Sequence, residues 1–169
     1  GGVGKTTLAS SLYMQIRGKY DGCCFLENIK DESSKLGMKT LQEKILSAVF
    51  NKKVEVESVE IGKNKIKGML SCRNVLIVLD DVDDGKQLEV LAGSHDWFGN
   101  GSRIIITTRD EHLLRAHNLD EVSHVCLLSQ VGAIRLFNKH AYNVNNLVED
   151  YEMLSQRVVF YAGGLPLAL

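Results

Sequence analysis

Two groups of residues in this sequence have the types and spacing needed to bind phosphate and a divalent cation. The chain opens with the glycine-rich run GGVGKTT, and the carboxylates Asp80 and Asp81 directly follow the apolar run NVLIVL. Glycines let successive backbone N–H groups turn toward one point, and a helix that follows them adds its positive end. The first group therefore predicts a phosphate-binding loop, and the second predicts a metal-binding carboxylate.

The loop matches the pattern G-x-x-x-x-G-K-[ST] from its second fixed glycine onward, which is Gly4. We therefore expect the first fixed glycine, and the strand that carries it, to lie upstream of Gly1. A glycine-rich turn before a helix is the alternative, but the G-K-T-T run that continues into an amphipathic helix favours phosphate binding. The candidate nucleotide-binding residues of this segment are Gly1, Gly2, Val3, Gly4, Lys5, Thr6 and Thr7.

Asp80 and Asp81 lie at the end of a strand that the sequence predicts to be buried. Burying adjacent carboxylates without compensation costs several kcal/mol each, so a positive partner is expected. Mg²⁺ is the economical candidate, with Thr6 and with Asp80 as a direct or water-mediated partner. Asp81 is then a candidate for polarising the attacking water. An exposed acidic turn is the alternative, and it describes Asp83 and Asp84 better than the first two acids.

Arg109 follows the next apolar strand, whose sequence is RIIIT. The carboxyl ends of parallel strands share one edge of a sheet, and ligands of open α/β folds bind there. Arg109 is therefore a candidate sensor of the terminal phosphate. The alternative is that Arg109 pairs with the acids beside it in the sequence, Asp110 and Glu111.

Composition and charge exclude several other classes of function. The net charge of −1 gives no concentrated basic surface for nucleic acid. The four cysteines and five histidines show no metal-ligand spacing, so neither a zinc site nor a disulfide framework is indicated. No apolar run approaches the roughly 18 residues needed to span a bilayer. With 44% hydrophobic and 24% charged residues, the chain is typical of a packed globular protein.

The spacing of apolar residues predicts the elements that position these groups. Leu8, Leu12 and Ile16 recur every four residues and predict a helix from Lys5 to about Arg17 with one buried stripe. Short apolar runs predict strands over 23–29, 74–79, 103–107 and 124–128. Helical spacing predicts helices near 41–49, 59–70, 87–91, 133–141 and 151–161.

The order of strands and helices predicts a doubly wound α/β fold with a parallel sheet. We assign residues 1–130 to this α/β domain, whose first strand is expected before the start of the chain. Residues 131–169 are assigned to the first part of a helical subdomain, because Ser129, Gln130 and Gly132 interrupt the pattern near that point.

Four motifs in this order, GGVGKTT, VLIVLDDVDD, GSRIIITTRD and GGLPLAL, resemble the nucleotide-binding (NB-ARC) domain of plant disease-resistance proteins. The resemblance covers the whole chain. FLENIKDES after the first helix, and Asp83 closing LDDVD, resemble the class that carries a TIR domain and leucine-rich repeats. The family's sheet places the strand of Arg103 between the phosphate-loop strand and the strand of Asp80.

The resemblance implies a phosphate-loop NTPase of the STAND class that acts as a switch. ADP holds the receptor closed, exchange for ATP opens it, and weak Mg²⁺-dependent ATPase activity resets it. In this sequence the resemblance implies that Lys5 and Thr6 contact the phosphates and Mg²⁺, and that Asp80 is the carboxylate that binds the metal. It makes Asp81 the catalytic acid and Arg109 the γ-phosphate sensor.

The resemblance also implies that Pro166 of GLPL closes over the nucleotide from the helical subdomain. It further implies an intracellular receptor, in the cytoplasm or the nucleus, whose TIR and leucine-rich-repeat domains contact this domain and which self-associates on activation. Two other readings stay open: a nucleotide-binding scaffold without hydrolysis, and another ATPase built on the same loop. Neither nucleic acid nor a membrane span is expected.

Overall fold

The computed structural model describes residues 1–117, 119, 121–141 and 151–169 of the chain. These residues form two compact units, one of Thr6–Val122 and one of Gly1–Lys5 together with Ser123–Leu169. The domain limits predicted from the sequence, 1–130 and 131–169, stay a prediction.

A parallel sheet forms the centre of the Thr6–Val122 unit. In the described residues its strands are β1 (Gly22–Leu26), β2 (Val75–Val82) and β3 (Arg103–Thr108), in the spatial order β1-β2-β3. Residues 75–79 of β2 are fully buried, because this strand lies between the other two and is covered on both faces. The parallel sheet confirms the predicted α/β fold class.

Helices alternate with the strands along the chain. In the described residues of this unit they are α1 (Lys5–Ile16), α2 (Ile29–Leu36), α3 (Met38–Phe50), α4 (Val59–Leu70), α5 (Gly85–Ala92) and α6 (Glu111–Ala116). The predicted apolar face of α3 is confirmed, since Leu41, Ile45 and Val49 are all buried. The prediction of α4 is also confirmed, despite its glycines. Gly62 lies where a Cβ atom would collide with the buried amide of Gln42, so a larger residue would displace an amide that donates to the carbonyls of Val59 and Val90.

The predicted buried stripe of α1 is wrong. Leu8 is 58% exposed and Leu12 is 41% exposed, whereas Ala9 is buried. The helix presents a different face to the sheet, because the ring of Tyr13 meets Phe25 of β1 edge to face at 5.4 Å. Two stripes of similar spacing exist on this helix, and spacing alone does not select between them.

The first predicted strand, 23–29, is too long at its carboxyl end. Asn28 has a left-handed backbone with φ of 49° and ψ of 52°, so the chain turns after Leu26. Ile29 is fully buried as the first residue of α2 instead of continuing the strand. The apolar character of Ile29 does not distinguish the end of a strand from the start of a buried helix, and the sequence pattern does not predict α2.

The second unit contains α7 (Gln130–Ala141) and α8 (Tyr151–Ala162), where helices were predicted. The strand predicted over 124–128 is wrong, because this segment joins no sheet in the part of the chain that the structure describes. The N–H of Leu128 donates to the carbonyl of Gly164 at 2.8 Å, which is one bond and not a repeating ladder. Among the described residues, no helix combines the length and apolar character that crossing a bilayer requires.

Candidate functional site

The carboxyl end of β2 departs from a regular strand where its two aspartates lie. The ladder between β2 and β3 is regular up to Leu79 and resumes at Val82. Between those residues, Asp80 and Asp81 of β2 face the single residue Thr107 of β3. Asp81 has a φ of 54°, a left-handed conformation that aspartate adopts more readily than most residues. The strand therefore has a β-bulge, a feature that re-aims side chains next to functional sites.

The Thr107 hydroxyl connects the two aspartates of the bulge. It accepts the backbone N–H of Asp81 at 2.9 Å and donates to Oδ1 of Asp80 at 2.6 Å. Thr107 is 8% exposed and Asp80 is 3% exposed, so both bonds are shielded from water. The bond to Asp81 pairs an N–H group that the bulge would otherwise leave without a ladder partner.

Thr6 and Asp80, the two predicted metal ligands, lie together. The Thr6 hydroxyl donates to both carboxylate oxygens of Asp80, at 2.8 Å and 3.0 Å. These residues are 74 positions apart in the sequence, and Thr6 directly follows the lysine of the glycine loop. The fold of the Thr6–Val122 unit therefore builds the hydroxyl–carboxylate pair that the two motifs predicted separately.

The donor set at Asp80 fits Mg²⁺. Its carboxylate is nearly fully buried, and within the described part of this unit its hydrogen-bond partners are the hydroxyls of Thr6 and Thr107. Hard oxygen donors are those that Mg²⁺ prefers, and it usually takes one or two carboxylates with water and phosphate completing its shell. Among the described residues, no cluster of three or more His, Cys, Asp or Glu could hold a metal by itself.

Arg109, the predicted phosphate sensor, forms an ion pair with Asp81. Its Nε lies 3.1 Å from Oδ1 and its Nη2 lies 3.5 Å from Oδ2. The arginine side chain is 66% exposed and the aspartate side chain 22%. The alternative partners are engaged elsewhere in the described structure: Asp110 caps α6, and Glu111 pairs with Arg115. The fold thus brings the predicted sensor to the predicted catalytic acid.

The acids that follow the bulge have structural partners. Asp84 is the N-cap of α5 and forms a capping box with Gln87. The Gln87 amide also donates to Asp83 at 2.9 Å and to the hydroxyl of Ser33 at 3.1 Å, and Lys30 lies 3.5 Å from Asp83. These contacts tie the segment after β2 to α2 and agree with the structural interpretation of these two acids.

In the other unit, the glycine loop lies directly against the GLPL segment. Gly2 and Gly4 have φ values of 80° and 96°, which side-chain-bearing residues rarely adopt. The carbonyl of Gly2 accepts the N–H of Leu167 at 3.3 Å, and a Cβ atom on Gly2 would lie 2.9 Å from Cβ of Leu167. A Cβ atom on Gly4 would lie 4.0 Å from Cγ of Pro166. Pro166 therefore lies beside the predicted phosphate loop.

Sequence reasoning missed Thr107. The available signal was a pair of threonines at the end of an otherwise apolar strand, in RIIITTR. Nothing in the sequence says which threonine contacts the aspartates, because that depends on the register and on the bulge. The functional roles of all the predicted site residues stay predictions: Gly1, Gly2, Val3, Gly4, Lys5, Thr6, Thr7, Asp80, Asp81, Arg109 and Pro166.

Comparison with known proteins identifies relatives over the whole chain. Residues 1–147 match the family model of the NB-ARC domain. The chain is 45% identical over 176 residues to the TMV resistance protein N of Nicotiana glutinosa, and 42% identical over 171 residues to the disease resistance protein RUN1 of Vitis rotundifolia. It is also 35% identical over 182 residues to the disease resistance protein RPS6 of Arabidopsis thaliana.

These alignments cover 99% or 100% of this chain but 15%, 13% and 16% of the three relatives. The chain therefore spans about a sixth of their length or less. The family match over residues 1–147 includes the glycine loop, both aspartates of the bulge, Thr107 and Arg109.

Proposed function

This chain belongs to the NB-ARC family of nucleotide-binding domains found in plant disease-resistance proteins, and from that premise we propose that it is the ADP/ATP switch of an intracellular immune receptor. ADP holds the receptor closed, exchange for ATP opens it, and slow hydrolysis resets it. The bond of 2.8 Å between Thr6 and Asp80 carries the proposal, because it joins the phosphate-loop threonine to the β2 carboxylate.

Each group of the site has a distinct role in this proposal. The backbone amides of residues 1–4 and the ammonium group of Lys5 hold the phosphates. Thr6 and Asp80 hold Mg²⁺, which when bound neutralises negative charge on the phosphate oxygens. Pro166, beside the glycine loop, closes the nucleotide site from the GLPL segment.

The Arg109–Asp81 ion pair supports a link between sensing and hydrolysis. An exposed ion pair stabilises a protein by at most about 1 kcal/mol, so the γ-phosphate of ATP can compete for the guanidinium group. Arg109 then contacts the phosphate, and the freed carboxylate of Asp81 can orient the attacking water. ADP has no γ-phosphate and leaves the pair intact. Moving a two-state protein from 1:99 to 99:1 needs about 5.5 kcal/mol of differential binding, to which this contact contributes.

The partners of the domain belong to the longer protein. We propose that a TIR domain and leucine-rich repeats contact this domain, that the receptor self-associates when ATP is bound, and that it acts in the cytoplasm or nucleus. The support is the similarity to plant disease-resistance proteins along the whole chain.

The test uses the complete protein that contains this chain. Nucleotide released by heat denaturation is identified, and ADP and ATP are titrated calorimetrically with and without Mg²⁺. We expect bound ADP in the purified protein and at least a roughly tenfold affinity loss in Lys5→Ala, about 1.4 kcal/mol. Lys19→Ala, an exposed lysine after α1, is the matched control and should leave affinity unchanged. A protein that purifies empty and ignores both nucleotides would overturn the proposal.

A nucleotide-binding scaffold without hydrolysis is the second candidate. The ion pair between Asp81 and Arg109 favours it, because the carboxylate of the proposed catalytic acid is already bound to the guanidinium group. A multiple-turnover ATPase assay on the complete protein separates the possibilities. The switch predicts turnover well below the enzyme median of about 10 s⁻¹. Trapped nucleotide without turnover identifies the scaffold, and turnover near or above that median identifies a different phosphate-loop ATPase.

A further inference from the structure

We propose that Thr107 is a positioning residue for the divalent cation: its hydroxyl fixes the Asp80 carboxylate and, at the same time, the backbone of Asp81. The proposal rests on the proposed function, because it assumes that Asp80 binds the cation of a Mg²⁺–nucleotide complex. It gives a role to Thr107, to which the sequence motifs assigned none. It also explains why the bulge of β2 lies opposite a threonine.

The first step concerns the direction of the hydroxyl proton. A threonine hydroxyl has one proton to donate and two lone pairs. Since the N–H of Asp81 occupies a lone pair of Thr107, the proton is left for Oδ1 of Asp80, at 2.6 Å. A short bond to an ionised acceptor is stronger than a neutral one. The orientation of the hydroxyl is therefore set by both aspartates together.

The second step concerns the two oxygens of Asp80. Oδ1 accepts from Thr107 and from Thr6, whereas Oδ2 accepts only the longer contact of 3.0 Å from Thr6 within the described part of this unit. Because hydrogen bonds hold Oδ1, Oδ2 is left to bind a cation or a water molecule that the cation coordinates. Without the Thr107 hydroxyl, the Thr6 hydroxyl is the remaining partner among the described residues, so the rotation of the carboxylate is less restricted.

The third step concerns the neighbouring threonine. Thr108 has the same side chain, but its hydroxyl accepts the N–H of Asp110 at 3.0 Å, beyond the end of β3. Thr108 thus serves the turn into α6, while Thr107 serves the bulge. The two residues form a natural pair for a controlled experiment.

The experiment measures how far Mg²⁺ strengthens ADP binding to the complete protein, as the ratio of the dissociation constants in EDTA and in Mg²⁺. Thr107→Val keeps the shape and removes the hydroxyl. We expect this variant to lower the Mg²⁺ enhancement at least tenfold while ADP affinity in EDTA changes less than about twofold. Thr107→Ser should restore the enhancement, and Thr108→Val should keep it at the wild-type value.

The outcomes separate this inference from the function on which it rests. A wild-type protein whose ADP binding ignores Mg²⁺ overturns the proposed metal site itself. Wild-type enhancement that survives in Thr107→Val, or a loss of equal size in EDTA and in Mg²⁺, overturns the role of Thr107 alone. Should Thr107→Val fail to fold, Thr107→Cys supplies a weak donor in its place. An intermediate enhancement then supports the inference, and full enhancement overturns it.

Discussion

A hydroxyl group accepts a β2 amide near each end of the ladder between β2 and β3. At the amino end, the Ser102 hydroxyl accepts the N–H of Val75 at 3.0 Å and donates to the carbonyl of Arg73 at 3.0 Å. At the carboxyl end, the Thr107 hydroxyl likewise accepts a β2 amide but donates to the carboxylate of Asp80. The two ends share one hydrogen-bonding arrangement and differ in the acceptor.

The acceptor decides what each end can do. The carbonyl that accepts from Ser102 is an uncharged backbone group. The Ser102 hydrogen bonds therefore only fix the position of the amino end of β2 in the sheet. A buried carboxylate carries a charge and keeps an oxygen for another partner, so the Thr107 arrangement can present a ligand. The comparison therefore assigns stability to one end and cation binding to the other, and four changes test that assignment.

The largest expected effect is on cation binding in Asp80→Asn. The variant keeps an oxygen that can accept from Thr107 but loses the charge that attracts Mg²⁺. We expect the Mg²⁺ enhancement of ADP binding in the complete protein to fall at least tenfold, about 1.4 kcal/mol, in calorimetric titrations. Thermal stability in EDTA should not fall, because the change removes a buried charge that has no ion-pair partner among the described residues.

Asp83→Asn is the control for this change. Asp83 also lies just after β2, but its partners are Lys30 and Gln87, and its side chain is half-exposed. Its Mg²⁺ enhancement should equal that of the wild type. Equal losses in both variants would show that general negative charge, and not the Asp80 carboxylate, attracts the cation.

The second effect is on stability at the other end, in Ser102→Ala. The change leaves the fully buried N–H of Val75 without its partner, which costs about 1–3 kcal/mol. Hydrogen exchange of β2 in the complete protein should be at least fivefold faster, with the Mg²⁺ enhancement unchanged. Ser71→Ala, at a half-buried serine directly after α4, should change neither quantity. A loss of Mg²⁺ enhancement in Ser102→Ala would remove the distinction between the two ends.

A third effect follows from Cys24, which pairs with Ile77 in the middle of β2. Burial raises the pKa of the Cys24 thiol to about 12, so the folded chain keeps this proton after the unfolded chain has lost it. Stability from this group is complete below pH 9 and is lost as pH rises from about 9 towards 12. Each pH unit in that window removes about 1 kcal/mol.

Thermal unfolding of the complete protein at pH 8, 9 and 10 measures this loss, and Cys24→Ala should reduce the alkaline dependence. Alkylation at pH 8 gives an independent check, because exposed Cys72 and Cys126 should react much faster than Cys24. Rapid alkylation of Cys24 in the native protein would mean that the middle of the sheet opens readily, and that the two ends of the ladder are not independent.

The smallest effect on stability is expected for Arg109→Ala. The Arg109 side chain of the pair with Asp81 is 66% exposed, so loss of the pair should change stability by about 1 kcal/mol or less. The ratio of ATP to ADP affinity should nevertheless fall severalfold in calorimetric titrations, because the proposed contact with the γ-phosphate is lost. Arg115→Ala removes another exposed arginine, in α6, and should keep the ratio. Unchanged affinity for both nucleotides in Arg109→Ala would reject the sensor role.

The elements that the sequence predicted well are those with a single strong pattern. The continuous apolar run of β2 could be satisfied only by a strand covered on both faces, and the helical spacing of α3 left one face to bury. The stripe of Leu8 and Leu12 in α1 failed because a helix with apolar residues on several faces does not reveal which face meets the sheet. The segment 124–128 failed because an apolar run makes a strand only where a neighbour supplies repeated backbone partners.

The sequence by itself determined the local chemistry: a glycine loop followed by lysine and threonine, aspartates after a buried strand, and an arginine after the next strand. Tertiary structure alone decided that Thr6 reaches Asp80, that Arg109 pairs with Asp81, and that Thr107 and not Thr108 faces the bulge. Types and spacing of residues are local properties and can be read along the chain. Register and backbone strain arise only when strands pair side by side. The contact across 74 positions arises only when the first turn of α1 lies against the carboxyl end of β2.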